Sequence, residues 1–285
     1  MTSPFVITER EIKQFEKTGF HISPVIIPEN IIAAARQGVC EFYAGDLDTP
    51  LPSYAGIAND TDSATTLRNN EFSTLQKNSL KALGMHDNII EISAALLRSK
   101  TIRLFSDSLI TKKPQTMQSK GNVGWHSDKS YWPTCSSNQL ITAWIPLQDV
   151  SLEMGPLCIL ESSNLWKQSK ELKQYFGFNC PDLDSFEEYL KLRGKPLKKH
   201  MMTLKAGQVS FHHSDTIHCS EPNISNHNRC SLTMHFQGDK NHYQTSLDDS
   251  GEPVVIGYDR LCKKDNRGQP DYHDPQWFPL LFPKP

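Results

Sequence analysis

The sequence lacks the features that mark membrane proteins and nucleic-acid-binding proteins. Its 285 residues contain no apolar run near the roughly 18 residues that a membrane-spanning helix needs. Lys and Arg number 30 against 32 Asp and Glu, a formal net charge of −2, so no basic excess attracts phosphate groups. Residues 1–20 hold no basic stretch followed by an apolar one, so we expect no signal peptide. We expect a small-molecule substrate, with no nucleic acid and no membrane as partner.

Cysteine forms no recognisable pattern. The seven cysteines are odd in number and none forms a Cys-x-x-Cys pair, so neither a disulfide framework nor a zinc ribbon is indicated. Free thiols are typical of a reducing compartment, and we therefore expect a cytoplasmic protein. The residues are Cys40, Cys135, Cys158, Cys180, Cys219, Cys230 and Cys262.

The common catalytic signatures are missing too. The sequence holds no dinucleotide fingerprint, no phosphate-binding loop and no nucleophile paired with a base. A bound cofactor must then supply the difficult chemistry, and the protein must orient it.

A His-x-Asp pair, His126 and Asp128, makes a metal ion one candidate for that cofactor, although a single pair of this kind also occurs by chance. Residues i and i+2 of a strand share a face, so both side chains can reach one metal ion. A third ligand is needed, and the histidine-rich run from 211 to 218 is the natural place to find it. Two His and one carboxylate that leave other positions open are typical of non-haem Fe(II) oxygenases. The competing distal ligands are His212, His213, His218 and His235.

The patterns along the chain predict helices followed by short strands. Thr8 and Glu11 form a possible capping box. Residues 45–80 have the composition of a loop, with a helical turn expected near 72–75. A loop of this length is typical of a lid or binding loop, and a surface excursion is the alternative. Helices are predicted near 8–19, 28–43 and 88–98, and strands near 20–22, 101–111, 123–130, 139–147, 157–160, 200–204, 208–212 and 229–236. We predict a mainly β protein with helices (α+β): a double-stranded β-helix, or cupin-like jelly roll, supported by N-terminal helices.

We predict one domain over residues 1–285. Residues 1–100 supply the helical support and the lid loop, 101–237 the jelly-roll core, and 238–285 an irregular C-terminal tail. A charged, partly helical insertion is expected at 165–198. We expect the lid loop, this insertion and the tail to rim the site, because loops on such scaffolds usually determine specificity.

Three segments in order resemble the phytanoyl-CoA dioxygenase family of Fe(II)/2-oxoglutarate-dependent oxygenases. They are WHSDKSYWP at 125–133, ITAWIPLQDVSLEMGPLCIL at 141–160 and AGQVSFHHSDTIHCSEPNISNHNRCSLTMHF at 206–236. The resemblance covers roughly residues 100 to 237. It departs at Glu161–Asn164, where the family often has Pro-Gly-Ser-His, and at Gln208, where it usually has Asp. These departures concern the substrate class more than the chemistry.

The resemblance implies a complete cofactor site. It selects His218 as the third metal ligand and places Arg229, eleven residues on, against the distal carboxylate of 2-oxoglutarate. The cofactors implied are Fe(II), 2-oxoglutarate and O2, with ascorbate as a reductant in vitro. Further candidates for the co-substrate are Ser220, Trp144 and Thr111, and for the substrate Trp125, Tyr131 and Trp132.

The resemblance also implies a reaction class. Hydroxylation is preferred over halogenation, because halogenating relatives lose the carboxylate that Asp128 supplies here. Desaturation, epoxidation and rearrangement use the same triad. A metal- or ligand-binding jelly roll without catalysis, and a hydrolytic zinc enzyme, are the alternatives from other classes. A monomer or a homodimer is expected. Lys195, Lys198 and Lys199 could hold the phosphates of a coenzyme A thioester, although a solvated run is the simpler interpretation.

Overall fold

Two antiparallel β-sheets face each other and enclose the candidate site. The computed structural model describes residues 6–57, 59, 66–115, 121–177 and 182–284. Its α-helices are α1 Glu9–Thr18, α2 Glu29–Tyr43, α3 Ser73–Gln76, α4 Asn78–Gly84, α5 Asp87–Leu96, α6 Lys170–Lys173, α7 Asp184–Leu192 and α8 Gly257–Leu261. Its strands are β1 Phe20–Ile22, β2 Leu67–Glu71, β3 Ile102–Lys112, β4 Val123–His126, β5 Leu140–Pro146, β6 Leu157–Leu160, β7 Lys199–Met201, β8 Ser210–His213, β9 His218–Ser220, β10 Arg229–Gly238 and β11 Leu280–Phe282.

The strand order confirms the predicted jelly roll. The larger sheet runs β1-β8-β5-β10-β3-β11, with β2 also paired to β3, and the smaller sheet runs β4-β9-β6-β7. All these pairings are antiparallel, and neighbours in each sheet come from distant parts of the chain. The chain crosses between the two sheets and so places β4, which ends at His126 of the His-x-Asp pair, beside β9, which begins at His218.

The N-terminal helices cover the outer face of the larger sheet, as predicted. Helix α1 starts with the expected capping box, since the Thr8 side chain accepts from the Glu11 amide and the Thr8 amide donates to the Glu11 carboxylate. It ends at Gly19, whose φ of +83° suits glycine. Buried apolar side chains of the helices pack against outward-facing strand residues such as Phe211 and Leu232. This burial fixes which face of the sheet turns inward.

The inner face of the larger sheet carries polar side chains in register. One row across the strands is Glu71, Ser108, Thr233, Trp144 and Ser210, and the next is Ser106, His235, Thr142 and His212. Buried polar side chains of this density are costly unless they bind one another or a ligand. Their alignment therefore marks the inner face as the wall of a site.

Two predictions about irregular segments were wrong in part. The predicted lid loop at 45–80 contains β2, which extends the larger sheet beside β3. Helix α3 matches the helical turn predicted near 72–75. The predicted irregular tail contains α8 and β11. Two buried aromatic residues of the tail, Phe278 and Trp277, pack against Phe105 and Phe72 respectively. Both segments are polar or Pro-rich, so local composition did not show their long-range pairing. Residues 58, 60–65 and 178–181, including Cys180, lie outside the described residues.

The division into one domain over 1–285 stays a prediction. The six described cysteines are free thiols. Within the described ranges, no helix is both long and apolar enough to cross a membrane.

Candidate metal centre and active site

Three ligand-type side chains converge between the sheets. His126 ends β4, Asp128 begins the short 3₁₀ turn that follows, and His218 opens β9 directly opposite His126. One ligand atom from each lies within 4.8 Å of the others, and all three residues are buried. Asp128 Oδ1 lies 3.9 Å from His126 Nε2 and 3.6 Å from His218 Nε2. The structure thus brings the three predicted ligand residues together.

Backbone contacts orient both imidazoles toward the centre. His126 Nδ1 lies 2.8 Å from the Gly124 carbonyl oxygen, and His218 Nδ1 lies 2.9 Å from that of Thr216. When Nδ1 carries the proton and donates it to a carbonyl, Nε2 is left as the metal-binding atom. Burial lowers the pKa of both histidines, which keeps them neutral and ready to bind a cation.

The carboxylate is oriented by the larger sheet. The Thr142 hydroxyl donates to Asp128 Oδ2 at 2.5 Å, and His212 Nε2 lies 3.1 Å from the same oxygen. His235 supports Thr142, since its Nδ1 lies 2.9 Å from the Thr142 hydroxyl. Burial opposes ionisation of Asp128, but contacts with His218 and His212 hold its pKa well below the usual range. Oδ1 therefore remains available beside the two Nε2 atoms.

Replacing Thr142 with valine is expected to weaken metal binding roughly ten- to hundredfold, because partners that orient a ligand usually contribute that much. Calorimetric titration with Co(II) measures the change. Thr233→Val is the matched control, since the Thr233 hydroxyl one row away has no hydrogen-bond partner among the described residues. Equal affinities of the Thr142→Val protein and the unmodified protein would show that the Asp128 contact does not position the ligand.

The other histidines of the run do not join the triad. His212 and His235 contact Asp128 Oδ2 or its partner Thr142, on the side away from Oδ1. His213 faces the opposite way from His212 on β8 and lies near Phe15 of α1. The alternatives left open by the sequence thus become supporting or structural residues.

Arg229 lies at the start of β10, buried beside Trp144. Its guanidinium carbon is 5.6 Å from the centre of a Trp144 ring, and Nη1 donates to the Gly155 carbonyl at 3.4 Å. Its Nε has no partner among the described residues, and no carboxylate there makes an ion pair with it. Burial lowers the pKa of Arg229 to about 10, so the group stays charged at neutral pH. A buried guanidinium of this kind needs an anionic ligand.

Lys112 is a candidate that the sequence analysis missed. It is the cross-strand partner of Arg229 and is fully buried. Its Nζ donates to the Ser220 hydroxyl at 2.7 Å and to the Ser220 and Glu221 carbonyls. Burial and the nearby Arg229 lower the pKa of Lys112 well below its usual value. An anion bound at Arg229 and Ser220 would offset this repulsion.

Substituting Lys112 with methionine is expected to weaken 2-oxoglutarate binding by roughly tenfold, since Ser220 loses its anchor and the anion loses a nearby positive charge. Binding of 2-oxoglutarate to the Co(II)-loaded protein, followed by calorimetry, gives the comparison. Lys100→Met, at an exposed position, is the control. Unchanged binding in the Lys112→Met protein would mean that Lys112 serves only the fold.

Two predicted site residues lie elsewhere. Thr111 points to the outer face of β3, where its hydroxyl lies 2.9 Å from that of Tyr43 and 3.3 Å from Cys230 Sγ. Trp125 packs against Phe186 behind the smaller sheet, and its indole nitrogen donates to the Leu183 carbonyl. Successive strand residues alternate between faces, so each neighbours a residue that does point inward. Thr111 is therefore removed from the co-substrate candidates and Trp125 from the substrate candidates.

The converging residues line a cavity of about 380 Å³. Tyr131 and Trp132 line it, as proposed from the sequence, and so do parts of β2 and of the tail. No described residue of the 165–198 insertion does, because the insertion packs on the outer side of the smaller sheet. Away from the metal and co-substrate residues, the lining includes Asn69, Glu71, Ser108, Ile110, Tyr131, Trp132, Ile256, Gly257 and Tyr258.

Comparisons with known proteins agree with this geometry. The family model for phytanoyl-CoA dioxygenase (PhyH) matches residues 15–231. The epimerase SnoN from nogalamycin biosynthesis, solved with Fe3+, alpha ketoglutarate and nogalamycin RO, superposes with a TM-score of 0.67 at 19% identity, covering 96% of this chain and 98% of that one. The carbocyclase SnoK gives 0.64 at 20% identity and coverages of 88% and 94%. EctD from S. alaskensis with 2-oxoglutarate and 5-hydroxyectoine gives 0.65 at 17% identity and coverages of 84% and 79%.

A search of curated proteins found no match. The family match spans most of the chain, so the protein belongs to the phytanoyl-CoA dioxygenase family of Fe(II)/2-oxoglutarate-dependent oxygenases. The residues fit the cofactors of that family. Two neutral imidazoles and one carboxylate suit Fe(II), and the buried Arg229 offers the cationic partner that a dicarboxylate requires.

Proposed function

We propose that this protein is an Fe(II)- and 2-oxoglutarate-dependent dioxygenase that hydroxylates a C–H bond of a small molecule. The observation that carries the proposal is the buried triad of His126, Asp128 and His218 in the same cavity as Arg229, which forms no ion pair with any described residue. When bound, iron with 2-oxoglutarate and O2 would supply the oxidising power, with conversion of 2-oxoglutarate to succinate and CO2. Proteins of this shape also include an epimerase and a carbocyclase, so the outcome of oxidation is part of the proposal.

Each residue has a distinct task in this scheme. The triad would hold the metal, Thr142 and His212 orient Asp128, and Arg229 would bind the distal carboxylate of 2-oxoglutarate. Ser220 would donate a hydrogen bond to the same carboxylate. Trp144 lines the part of the cavity in which the co-substrate would bind. Tyr131 and Trp132 hold the substrate near the metal and exclude water from it. Asp128 fills the position that a halide would need, which favours hydroxylation over halogenation.

The test of the reaction type is product analysis under labelled oxygen. The protein is incubated with Fe(II), ascorbate, 2-oxoglutarate, chloride and a panel of small molecules under ¹⁸O₂. Hydroxylation predicts a product that gains one labelled oxygen atom. A product that has lost two hydrogens and gained no oxygen would show that the reaction is desaturation or ring closure and not hydroxylation. A chlorinated product would refute the hydroxylase proposal.

The proposal extends to the compartment and the oligomeric state of the protein. We propose a cytoplasmic enzyme, because the free thiols suit a reducing compartment. A monomer or a homodimer is proposed, and sedimentation equilibrium decides between them.

A further inference from the structure

The cavity contains a carboxylate that the iron chemistry does not use. Glu71 ends β2 and lies in the same row as Ser108, Thr233 and Trp144 across the larger sheet. Neighbouring strands are about 4.8 Å apart, so the Glu71 Cα lies about 10 Å from that of Thr233 and about 14 Å from that of Trp144. Glu71 therefore stands at the side of the cavity opposite the co-substrate residues.

Among the described residues, the Glu71 carboxylate has one hydrogen-bond partner. Its Oε1 accepts a hydrogen bond from the Tyr258 hydroxyl at 2.9 Å. Across the described part of the chain, no Lys, Arg or His lies within ion-pair distance of it, although its side chain lines the cavity. Burial raises the pKa of Glu71 above the usual range. The proposed function assigns Asp128 to the metal and Arg229 to the distal carboxylate of 2-oxoglutarate, and it assigns no ligand to Glu71.

Hydrogen bonds and ring contacts fix the segments on either side of this carboxylate. Asp107, fully buried, accepts hydrogen bonds from the Thr74 hydroxyl and amide and so fixes the corner that follows β2. The Tyr258 ring packs edge-on against Phe72, with centroids 5.7 Å apart. Asp259 accepts from the Ile256 amide at 3.0 Å, which holds the start of α8 against the cavity. Glu71 and Tyr258 thus present a preformed acceptor pair.

We propose that Glu71 and Tyr258 bind a protonated amine of the primary substrate. An ammonium group would satisfy the free carboxylate oxygen with a charge-assisted hydrogen bond and would compensate the negative charge of this half-buried group. A hydroxyl could supply the hydrogen bond but not the charge. This inference rests on the proposed function, because it names the substrate class of the same cavity.

The placement also separates the amine from the oxidised carbon. Thr142, which holds Asp128, lies on β5, and Glu71 lies on β2, three strands away. The substrate must therefore span part of the sheet, with its cationic end at the β2 edge. Tyr131 and Trp132 would pack against the carbon skeleton in between.

Calorimetry on protein loaded with Zn(II) and 2-oxoglutarate tests the proposal without turnover. The probes are a broad panel of amines, including putrescine, tyramine, phenethylamine and lysine methyl ester, each paired with its N-acetylated form. We expect at least one amine to bind at least tenfold more tightly than its acetylated form. Glu71→Gln should reduce that amine's affinity roughly ten- to hundredfold and leave the acetylated form unchanged. Glu252→Gln, at an exposed position in the tail, is the matched control.

The outcomes separate this inference from the proposed function. Amines that bind no better than their acetylated forms, or that bind the Glu71→Gln protein as well as the unmodified protein, would overturn it even if 2-oxoglutarate binds normally. Failure of 2-oxoglutarate itself to bind would instead overturn the proposed function. Melting temperature and 2-oxoglutarate binding show whether Glu71→Gln is folded. If it is not, Tyr258→Phe and the paired probes on the unmodified protein decide the question, and Tyr258→Phe should weaken amine binding several-fold.

Discussion

Changing Asp128 to alanine is expected to abolish 2-oxoglutarate turnover and to weaken metal binding by at least about a hundredfold. Asp128 supplies the one anionic donor of the triad, and its Oδ1 lies beside the Nε2 atoms of His126 and His218. Without Asp128, only two neutral imidazoles remain, and no negative charge compensates the charge of the metal ion in this buried site. Titration with Co(II) and succinate release give the two measurements.

Asp249→Ala controls for the loss of a carboxylate, since Asp249 is exposed and pairs with Lys170 on the surface. The control should retain both metal binding and turnover. An Asp128→Ala protein that binds metal as tightly as the control would place the metal outside the triad.

Changing Arg229 to alanine is expected to raise the 2-oxoglutarate concentration for half-saturation by at least about thirtyfold while leaving metal affinity unchanged. Leaving a buried charge without its partner costs roughly 2–5 kcal/mol, and the distal carboxylate would lose its bidentate partner. Binding of 2-oxoglutarate to the Co(II)-loaded protein isolates this effect from catalysis.

Arg10→Ala, at an exposed position of α1, is the matched arginine control. Succinate, which lacks the keto acid end, is a useful competitor because it too must use Arg229. If the Arg229→Ala protein binds 2-oxoglutarate as tightly as the control, the carboxylate lies elsewhere. Lys112 would then be the next candidate, since it lies across the strand pair from Arg229.

The residues of the candidate metal triad could be named from the sequence for two reasons: two of them are neighbours in the chain, and a family motif points to the third. His126 and Asp128 are two residues apart, and the family resemblance set the distance from His218 to Arg229. The physical route differs in one respect from the expectation. The strand ends at His126, so Asp128 reaches the centre from a 3₁₀ turn and not from an extended strand.

The two misplaced candidates, Thr111 and Trp125, each lie one position in the chain from a residue that faces the site. Thr111 and Lys112 are neighbours, yet one faces the helices and the other faces Ser220. Trp125 and His126 divide in the same way between the outer packing and the cavity. The face that each residue takes depends on which side of the sheet the helices cover, and a local pattern in a strand buried on both sides does not show this.

Glu71 and Tyr258 were missed because their partners are distant in sequence. Strand β2 reads Leu-Arg-Asn-Asn-Glu, which has the composition of a loop, and it becomes a strand by pairing with β3. Tyr258 reaches the cavity because the tail packs its aromatic residues against Phe105 and Phe72. Composition describes neither contact. The expectation that these two segments rim the site was confirmed, and the same expectation for the described part of the insertion was wrong.

The central claim is that His126, Asp128 and His218 hold iron for a reaction that consumes 2-oxoglutarate. The direct measurement is succinate formed from 2-oxoglutarate by purified protein with Fe(II), ascorbate, O2 and the small-molecule panel. The comparison is with His126→Ala protein, which should lose the activity because the triad is broken. We predict oxygen-dependent succinate release by the unmodified protein alone. Equal succinate from both proteins, with iron shown to be bound to the unmodified one, would contradict the account.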